Sequence, residues 1–417
     1  MISGFSPPCI GAGGSAFTLS VSGQNFVSGS IVRWNGSDRP STFVNSYRLT
    51  AQIPASDVAA AGTAAITVFN PADGSLLSSR STFTIAAGVP PVSIAVDPGG
   101  KFAYVVGVGS CGDGFLSTYS INPDTGVLTN AVRDMDLGDG ERRFVAVDPS
   151  GKFLYVTDGI NDDLATVFAF AINTATGELT SVGDAYGFCG ASCIPSWLAV
   201  DPLGKFVYVA NEGGSGVWTL TTGALTRAGS TSSAGHASSV AVDPSGKFAY
   251  VTNGDSNNVS MYTINTTTGA LTSIGTITAG TTPASVAVDP SGKWVYVTNA
   301  GSNNVSMYGI DAATGSLTST GLIAAGTKPA FVAVDPTGKF AYVTNAGSND
   351  VSMYSISTAN GTLSSIGTIA AESSPTSIAI YPSGKFAYVT NSQSNTVSMY
   401  SIDATTGTLS LIGKIGT

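Results

Sequence analysis

A turn that recurs seven times constrains the fold of this chain more than any other feature. Each copy joins an apolar strand pattern to an aromatic-rich one through Asp-Pro-x-Gly-Lys, and only the last copy replaces the aspartate, with Tyr381. The lysines of successive turns are 51, 53, 42, 46, 46 and 46 residues apart. Such spacing is typical of repeat architectures, in which each unit buries its faces against its neighbours.

Each repeat contains four strand patterns. In the fifth repeat they cover residues 285–288, 294–298, 305–310 and 316–322, separated by turns rich in glycine, asparagine and aspartate. Proline presets φ in the Asp-Pro-x-Gly turn, and glycine tolerates a positive φ there. A four-stranded unit of roughly 40–50 residues that repeats radially is a propeller blade. Residues 92–417 are therefore predicted to form a seven-bladed β-propeller.

The N-terminal segment lacks this repeat. Residues 1–85 instead alternate strand patterns with turn signals, which favours a small Ig-like β-sandwich. Residues 86–91 are expected to be a linker. Only 10% of the residues are charged, whereas glycine contributes 51, so surface helices are not expected. The predicted fold class is all-β: an Ig-like sandwich followed by a seven-bladed propeller.

Four copies of Tyr-Val-Thr-Asn give the repeats a family resemblance. They begin at Tyr250, Tyr296, Tyr342 and Tyr388. The repeat region resembles the YVTN-repeat propellers of the lactonase-like seven-bladed group, and residues 1–85 resemble the IPT/TIG domain. The resemblance implies a hydrolase that uses acidic, basic and histidine residues at the mouth of the central channel.

Composition excludes several classes of function. The net charge is −9, and no lysine or arginine cluster has the size that nucleic-acid binding needs. No apolar run reaches the roughly 18 residues of a membrane-spanning helix. The single histidine, His236, excludes a His-rich metal site, and we expect neither a metal nor a cofactor.

The entries to the first strands of the blades contain the candidate site. The position six residues before the turn aspartate is proline in five blades but Arg142 and Ala237 in the other two. Charged and aromatic side chains gather around this position, and they are expected to ring the channel mouth as a ligand site. These candidates are Glu141, Arg142, Arg143, Phe144, Trp197, His236, Lys328 and Phe331. The alternative is that this face docks the sandwich domain.

Three functions are compatible with these features. We expect an exported, non-catalytic bacterial protein of the cell surface or extracellular space, which binds an unknown glycan, protein or small molecule through the loop face of blades 1–3. The family resemblance supplies the second, a lactonase-like hydrolase with Glu141, Arg142 and His236 as its catalytic residues. The third is self-assembly into fibres or layers. No signal peptide is visible after Met1, so a mature form is expected.

The sulfur-containing residues have structural predictions. Cys189 and Cys193 are expected to form a local disulfide, and Cys9 and Cys111 a disulfide between the domains. Four methionines occupy the same place in the third strands of four blades, where packing between blades explains them better than metal binding. They are Met261, Met307, Met353 and Met399.

Overall fold

The chain was analysed as a computed structural model, which falls into two compact units. The first unit ends at Val89, and the second begins at Pro90. The structure describes residues 2–12, 16–70, 75–76, 80–86, 88–108, 113–139, 144–158, 166–186, 194–212, 216–223 and 225–417. The described ranges contain no helical segment with the length and hydrophobicity that a membrane crossing requires.

The first unit is a sandwich of two sheets. One sheet has the order β1-β3-β7-β6, and the other has β2-β10-β8-β4-β5 with β9 paired to β8. The strands are β1 (Ile2–Ser6), β2 (Cys9–Gly11), β3 (Phe17–Gly23), β4 (Ile31–Trp34), β5 (Ser37–Asp38), β6 (Ser41–Asn45), β7 (Arg48–Ile53), β8 (Gly62–Asn70), β9 (Ser75–Leu76) and β10 (Ser81–Ala86). A short 3-10 helix, Ala55–Val58, follows β7.

Apolar residues at alternate positions of these strands form the core of the sandwich. Leu19 and Val21 on β3 are fully buried, as are Ile66 and Val68 on β8. This period of two turns one face of each sheet inward. Strand β2 pairs in parallel with the last strand of the sandwich, β10.

The described residues of the second unit form seven sheets of four strands, each built from consecutive strands. Blades 1 to 3 contain β11 (Pro91–Val96), β12 (Phe102–Val108), β13 (Asp113–Ile121), β14 (Leu128–Asp139); β15 (Val145–Val147), β16 (Phe153–Asp158), β17 (Thr166–Ile172), β18 (Leu179–Tyr186); β19 (Pro195–Val200), β20 (Phe206–Asn211), β21 (Gly216–Thr221) and β22 (Thr226–Thr231).

Blades 4 to 7 follow the same plan, so the all-β prediction is confirmed. They contain β23 (Ala237–Val242), β24 (Phe248–Asn253), β25 (Asn258–Ile264), β26 (Leu271–Thr278); β27 (Pro283–Val288), β28 (Trp294–Asn299), β29 (Asn304–Ile310), β30 (Leu317–Ala324); β31 (Pro329–Val334), β32 (Phe340–Asn345), β33 (Asp350–Ile356), β34 (Leu363–Ala370); β35 (Pro375–Ile380), β36 (Phe386–Asn391), β37 (Thr396–Ile402) and β38 (Leu409–Gly416).

The first strands of the blades surround the central axis. Each first strand contacts the first strands of both neighbouring blades, and β35 of blade 7 contacts β11 of blade 1. Strand β38 pairs with β37 inside blade 7, so no strand is exchanged between the termini. The ring closes by packing, and a hydrogen bond from the Thr376 hydroxyl to the Pro91 carbonyl (3.5 Å) joins the two end blades.

The methionines of the third strands lie between blades. The Met261 sulfur accepts a hydrogen bond from the backbone N–H of Leu317 in the next blade (3.2 Å), and Met399 accepts one from Leu128 across the ring closure (3.1 Å). Met307 and Met353 do the same at the two joints between them. The prediction that these sulfurs pack between blades is confirmed.

Candidate functional site

Three aromatic residues occupy one level of the central channel. The residue four positions before the turn aspartate, or before Tyr381, is a serine in blades 1, 4, 5 and 7 but an aromatic in blades 2, 3 and 6. In chain order these residues are Ser93, Phe144, Trp197, Ser239, Ser285, Phe331 and Ser377. Since the blades are equivalent around the axis, the three aromatics must meet inside the channel.

The three rings stack on one another. The ring centroids of Phe144 and Trp197 are 4.0 Å apart, and those of Trp197 and Phe331 are 4.9 Å apart. The backbone of Phe144 is fixed by its N–H, which donates to the Thr157 hydroxyl (2.9 Å). All three side chains are only partly buried. We call Phe144, Trp197 and Phe331 the aromatic floor, because the three rings together line one cavity.

The cavity has a volume of about 550 Å³, which is within the range of small-molecule sites. Val92, Pro283, Ala284 and Ala330 contribute an apolar wall. Polar side chains from the adjacent blades 3 and 4 lie along one part of its edge. They are Glu212, His236 and Asp255.

His236 and Asp255 form a side-chain pair at the entrance to blade 4. The imidazole Nδ1 lies 3.0 Å from Asp255 Oδ2, and the two side chains are 55% and 69% exposed. A carboxylate at Nδ1 holds the ring in the tautomer that leaves Nε2 free to accept a proton. The pair can therefore act as an oriented general base that solvent and ligands reach.

Neither member of the pair follows the repeat. In blades 5, 6 and 7 the position of His236 is occupied by Thr282, Lys328 and Ser374, each with a positive φ, which His236 does not have. In those blades this residue donates its N–H to an asparagine of the preceding blade, as Thr282 does to Asn257 (2.7 Å). The sequence has Ser215 where blade 3 would supply that asparagine.

Backbone hydrogen bonds at the strand ends position the polar side chains. The N–H of Gly254 donates to the His236 carbonyl (2.9 Å), which places Asp255 beside the imidazole. The equivalent bond in blade 3 runs from the N–H of Glu212 to the Ile194 carbonyl (2.9 Å). Glu212 and Asp255 are absent from the sequence-based candidates. They depart from the repeat, as His236 does, because each has a carboxylate where blades 5, 6 and 7 have a neutral residue.

Hydroxyl groups of the cavity wall are used to join the blades. The Ser196 hydroxyl donates to the Ala237 carbonyl (3.0 Å), and the Ser238 hydroxyl donates to the Pro283 carbonyl (2.7 Å). Each bond links one first strand to the next. The wall is therefore braced by its own polar groups.

Four of the eight predicted site residues line this cavity: Phe144, Trp197, His236 and Phe331. Lys328 is exposed and does not line it; its N–H donates to the Asn303 side chain (2.8 Å). Glu141, Arg142 and Arg143 lie outside the described residues.

Cysteine and metal predictions are tested only in part. Cys9 is disulfide-bonded, whereas Cys111, Cys189 and Cys193 lie outside the described residues, so both predicted pairings stay predictions. Within the ranges that the structure describes, no group of three His, Cys, Asp or Glu side chains is placed to hold a metal ion.

Seven four-stranded blades around a central axis, with a ligand-sized cavity among their first strands, define a seven-bladed β-propeller with a candidate small-molecule site. The sequence matches the family described as Lactonase, 7-bladed beta-propeller over residues 61–195, 198–333 and 323–416. Because these matches span more than half of the chain, the protein belongs to this family. Residues 1–85 match the IPT/TIG domain. No curated protein is similar enough to the sequence to be matched with it.

Solved structures share the propeller fold. A protein of Bacteroides uniformis, provisionally named a 6-phosphogluconolactonase, is 21% identical with a TM-score of 0.66, over 72% of this chain and 92% of its own. Its counterpart from Bacteroides fragilis is 23% identical with a TM-score of 0.63, over 72% and 91%. The periplasmic gluconolactonase PpgL of Pseudomonas aeruginosa is 17% identical with a TM-score of 0.57, over 75% and 93%. At these identities the likeness shows the fold alone.

Proposed function

We propose that the protein is a lactonase that hydrolyses a cyclic ester in the cavity at the channel mouth. The His236–Asp255 pair is the observation that carries this proposal, because it places an oriented base at the edge of a ligand-sized cavity. Both residues interrupt an otherwise regular repeat, so packing of the blades does not require them. Membership of the Lactonase family supports the same activity.

The proposed chemistry is general-base hydrolysis. His236 Nε2 takes a proton from a water molecule as the water oxygen attacks the lactone carbonyl carbon. The C–O bond of the ring then breaks, and the imidazolium returns its proton to the departing ring oxygen. The product is an open-chain hydroxy acid. Asp255 is a positioning residue, since it holds Nδ1 and stabilises the imidazolium that forms.

The named relatives support an ester of this kind. Gluconolactone and 6-phosphogluconolactone, the compounds in the names of the structural relatives, are both cyclic esters. Export, a surface location and a non-catalytic adhesive role stay predictions from composition. A non-catalytic ligand site in the same cavity is the second candidate, because the partly exposed aromatic floor would also hold a ligand that does not react.

Release of acid from a panel of alkyl, aryl and sugar lactones tests the proposal, with spontaneous hydrolysis subtracted. We expect His236→Ala to lower kcat by about 10²–10⁴-fold, the range that a general base contributes. Asp255→Asn should have a smaller effect, since the imidazole remains. Lys414→Ala is the matched control, because it removes an exposed side-chain pair, Lys414–Glu372 (2.9 Å), that does not line the cavity.

Two results would oppose the proposal. Lactone hydrolysis that persists at full rate in the His236→Ala variant would remove His236 from the chemistry. Absence of hydrolysis for every lactone, combined with saturable binding of one of them in the cavity, would favour the non-catalytic site.

A further inference from the structure

The aromatic floor replaces serines that the other four blades have at the same position. Four blades place a serine at this level, and neighbouring blades use three of those hydroxyls: Ser93, Ser239 and Ser285 accept the N–H groups of Val145, Val286 and Val332 at 3.3–3.4 Å. The fourth hydroxyl, on Ser377, is buried. Phe144, Trp197 and Phe331 replace this serine in blades 2, 3 and 6, and their rings remain partly exposed to the cavity.

The cavity is therefore divided chemically. Its floor and much of its wall are apolar, with Val92, Pro283, Ala284 and Ala330 continuing the surface of the three rings. The ionisable side chains among the described lining residues, Glu212, His236 and Asp255, all lie on loops of the adjacent blades 3 and 4. The wall hydroxyls of Ser196 and Ser238 already donate to carbonyls of the next blade.

This division favours lactones with an apolar substituent over sugar lactones. The hydroxyls of a sugar lactone that lay on the aromatic floor would lose their hydrogen bonds to water, and the three rings would not replace them. An alkyl or aryl substituent on the aromatic floor would instead remove apolar surface from water, both its own surface and that of the rings. The polar ester would then lie toward the His236–Asp255 edge.

We propose that the substrate is a lactone with an apolar substituent, which lies on the aromatic floor while the ester carbonyl faces His236. This inference rests on the proposed lactonase function and names its substrate class. Trp197 is then a specificity-determining residue, since it contacts both other rings and belongs to blade 3, one of the two blades that carry the polar edge.

A homologous series tests the substrate class. The substrates are γ-butyrolactone, its butyl- and octyl-substituted homologues, and glucono-δ-lactone. We expect kcat/KM to rise by about fourfold for each methylene that reaches the floor, and glucono-δ-lactone to be the poorest substrate. Trp197→Ser, which restores the residue of the repeat, should abolish the dependence on chain length, so that the octyl homologue loses its advantage in kcat/KM over γ-butyrolactone. Trp294→Phe is the control, because it replaces a tryptophan outside the cavity with the aromatic found in other blades.

Binding measured without turnover separates the two proposals. In the His236→Ala background, calorimetric titration with the octyl lactone should show saturable binding that Trp197→Ser weakens at least about tenfold. Trp197-dependent binding in a protein that hydrolyses no lactone would uphold the apolar floor and overturn the lactonase proposal. Hydrolysis that favours glucono-δ-lactone, or that ignores chain length, would overturn the substrate class and leave the lactonase proposal standing.

Discussion

A single carboxylate organises each turn between the first two strands of a blade. In blade 5, Asp289 accepts backbone N–H groups from Ser291 (3.1 Å), Lys293 (2.8 Å) and Trp294 (2.7 Å). The sequence suggests instead an interaction between the aspartate and the lysine side chain. The structure differs because the turn brings backbone amides to the carboxylate, whereas the Lys293 side chain stays exposed. Asp289 itself is 3% exposed, so its oxygens depend on these donors.

Removing this carboxylate should therefore destabilise the propeller. Asp289→Ala leaves three backbone amides of this turn without the acceptor that the buried carboxylate supplies, and we expect a loss of about 3 kcal/mol in the free energy of unfolding. Urea denaturation followed by circular dichroism measures it. Asp311→Ala is the control, because Asp311 accepts the same kind of bond, from Ala313 (2.8 Å) and Thr314 (3.0 Å), on an exposed turn. Equal losses in the two variants would refute the role of burial.

The candidate site shows which residues a sequence can reveal. His236 is predictable because it is the single histidine and stands where the repeat has threonine, lysine or serine. Asp255 is 19 positions away, and it reaches His236 only because the Gly254 N–H bonds to the His236 carbonyl. That closeness follows from pairing at the ends of two strands. The same kind of backbone hydrogen bond positions Glu212, directly after β20. The sequence alone does not show that this residue reaches the cavity.

At the level of strands and turns, blade 5 is joined to blade 6 through one glycine turn. The Tyr296 hydroxyl of blade 5 donates to the Gly361 carbonyl of blade 6 (2.9 Å), and the Trp294 ring packs against the same glycine. The Met307 sulfur accepts the N–H of Leu363 two residues later (3.1 Å). This joint explains why aromatic, tyrosine and methionine positions recur together in the repeat.

Gly361→Ala should disrupt this joint. Gly361 has φ of +68°, and a Cβ there would lie 2.2 Å from Trp294 Cδ2, so backbone strain and overpacking add together. We expect a loss of at least about 2 kcal/mol, measured by thermal and urea denaturation. Gly416→Ala, in the last strand, should be neutral within about 0.5 kcal/mol, because no atom lies within 4 Å of its added Cβ. A neutral Gly361→Ala variant would mean that the joint does not depend on this close approach.

For the whole molecule, the repeat predicted seven blades, and the closed ring follows from packing of the first and last of them. The aromatic floor was also within reach of the sequence, since it appears once the seven repeats are aligned at one position. The sequence could not predict that the cavity is divided into an apolar floor and a polar edge, because this division depends on how far each side chain extends toward the axis. Composition predicts export and a surface role, and these stay predictions.

The ring also carries one buried tyrosine on the second strand of each blade: Tyr104, Tyr155, Tyr208, Tyr250, Tyr296, Tyr342 and Tyr388. Burial raises the pKa of all seven phenols, and in six blades the nearby turn aspartate raises it further. For Tyr155 the pKa rises to about 12, and the Gly223 N–H, which donates to its hydroxyl (2.9 Å), opposes the shift.

These shifts predict cooperative unfolding at alkaline pH. A phenol with a raised pKa stays protonated in the folded chain but loses its proton above pH of about 10 in the unfolded chain. Its contribution to stability is therefore complete below that pH and is lost as pH rises, by about 1.4 kcal/mol per pH unit for each tyrosine. With seven such residues, we expect the propeller to unfold between about pH 10 and 12. Tyrosinate absorbance and circular dichroism should change together in one step, and ionisation of these phenols near pH 10 in a propeller that keeps its native circular dichroism would contradict the prediction.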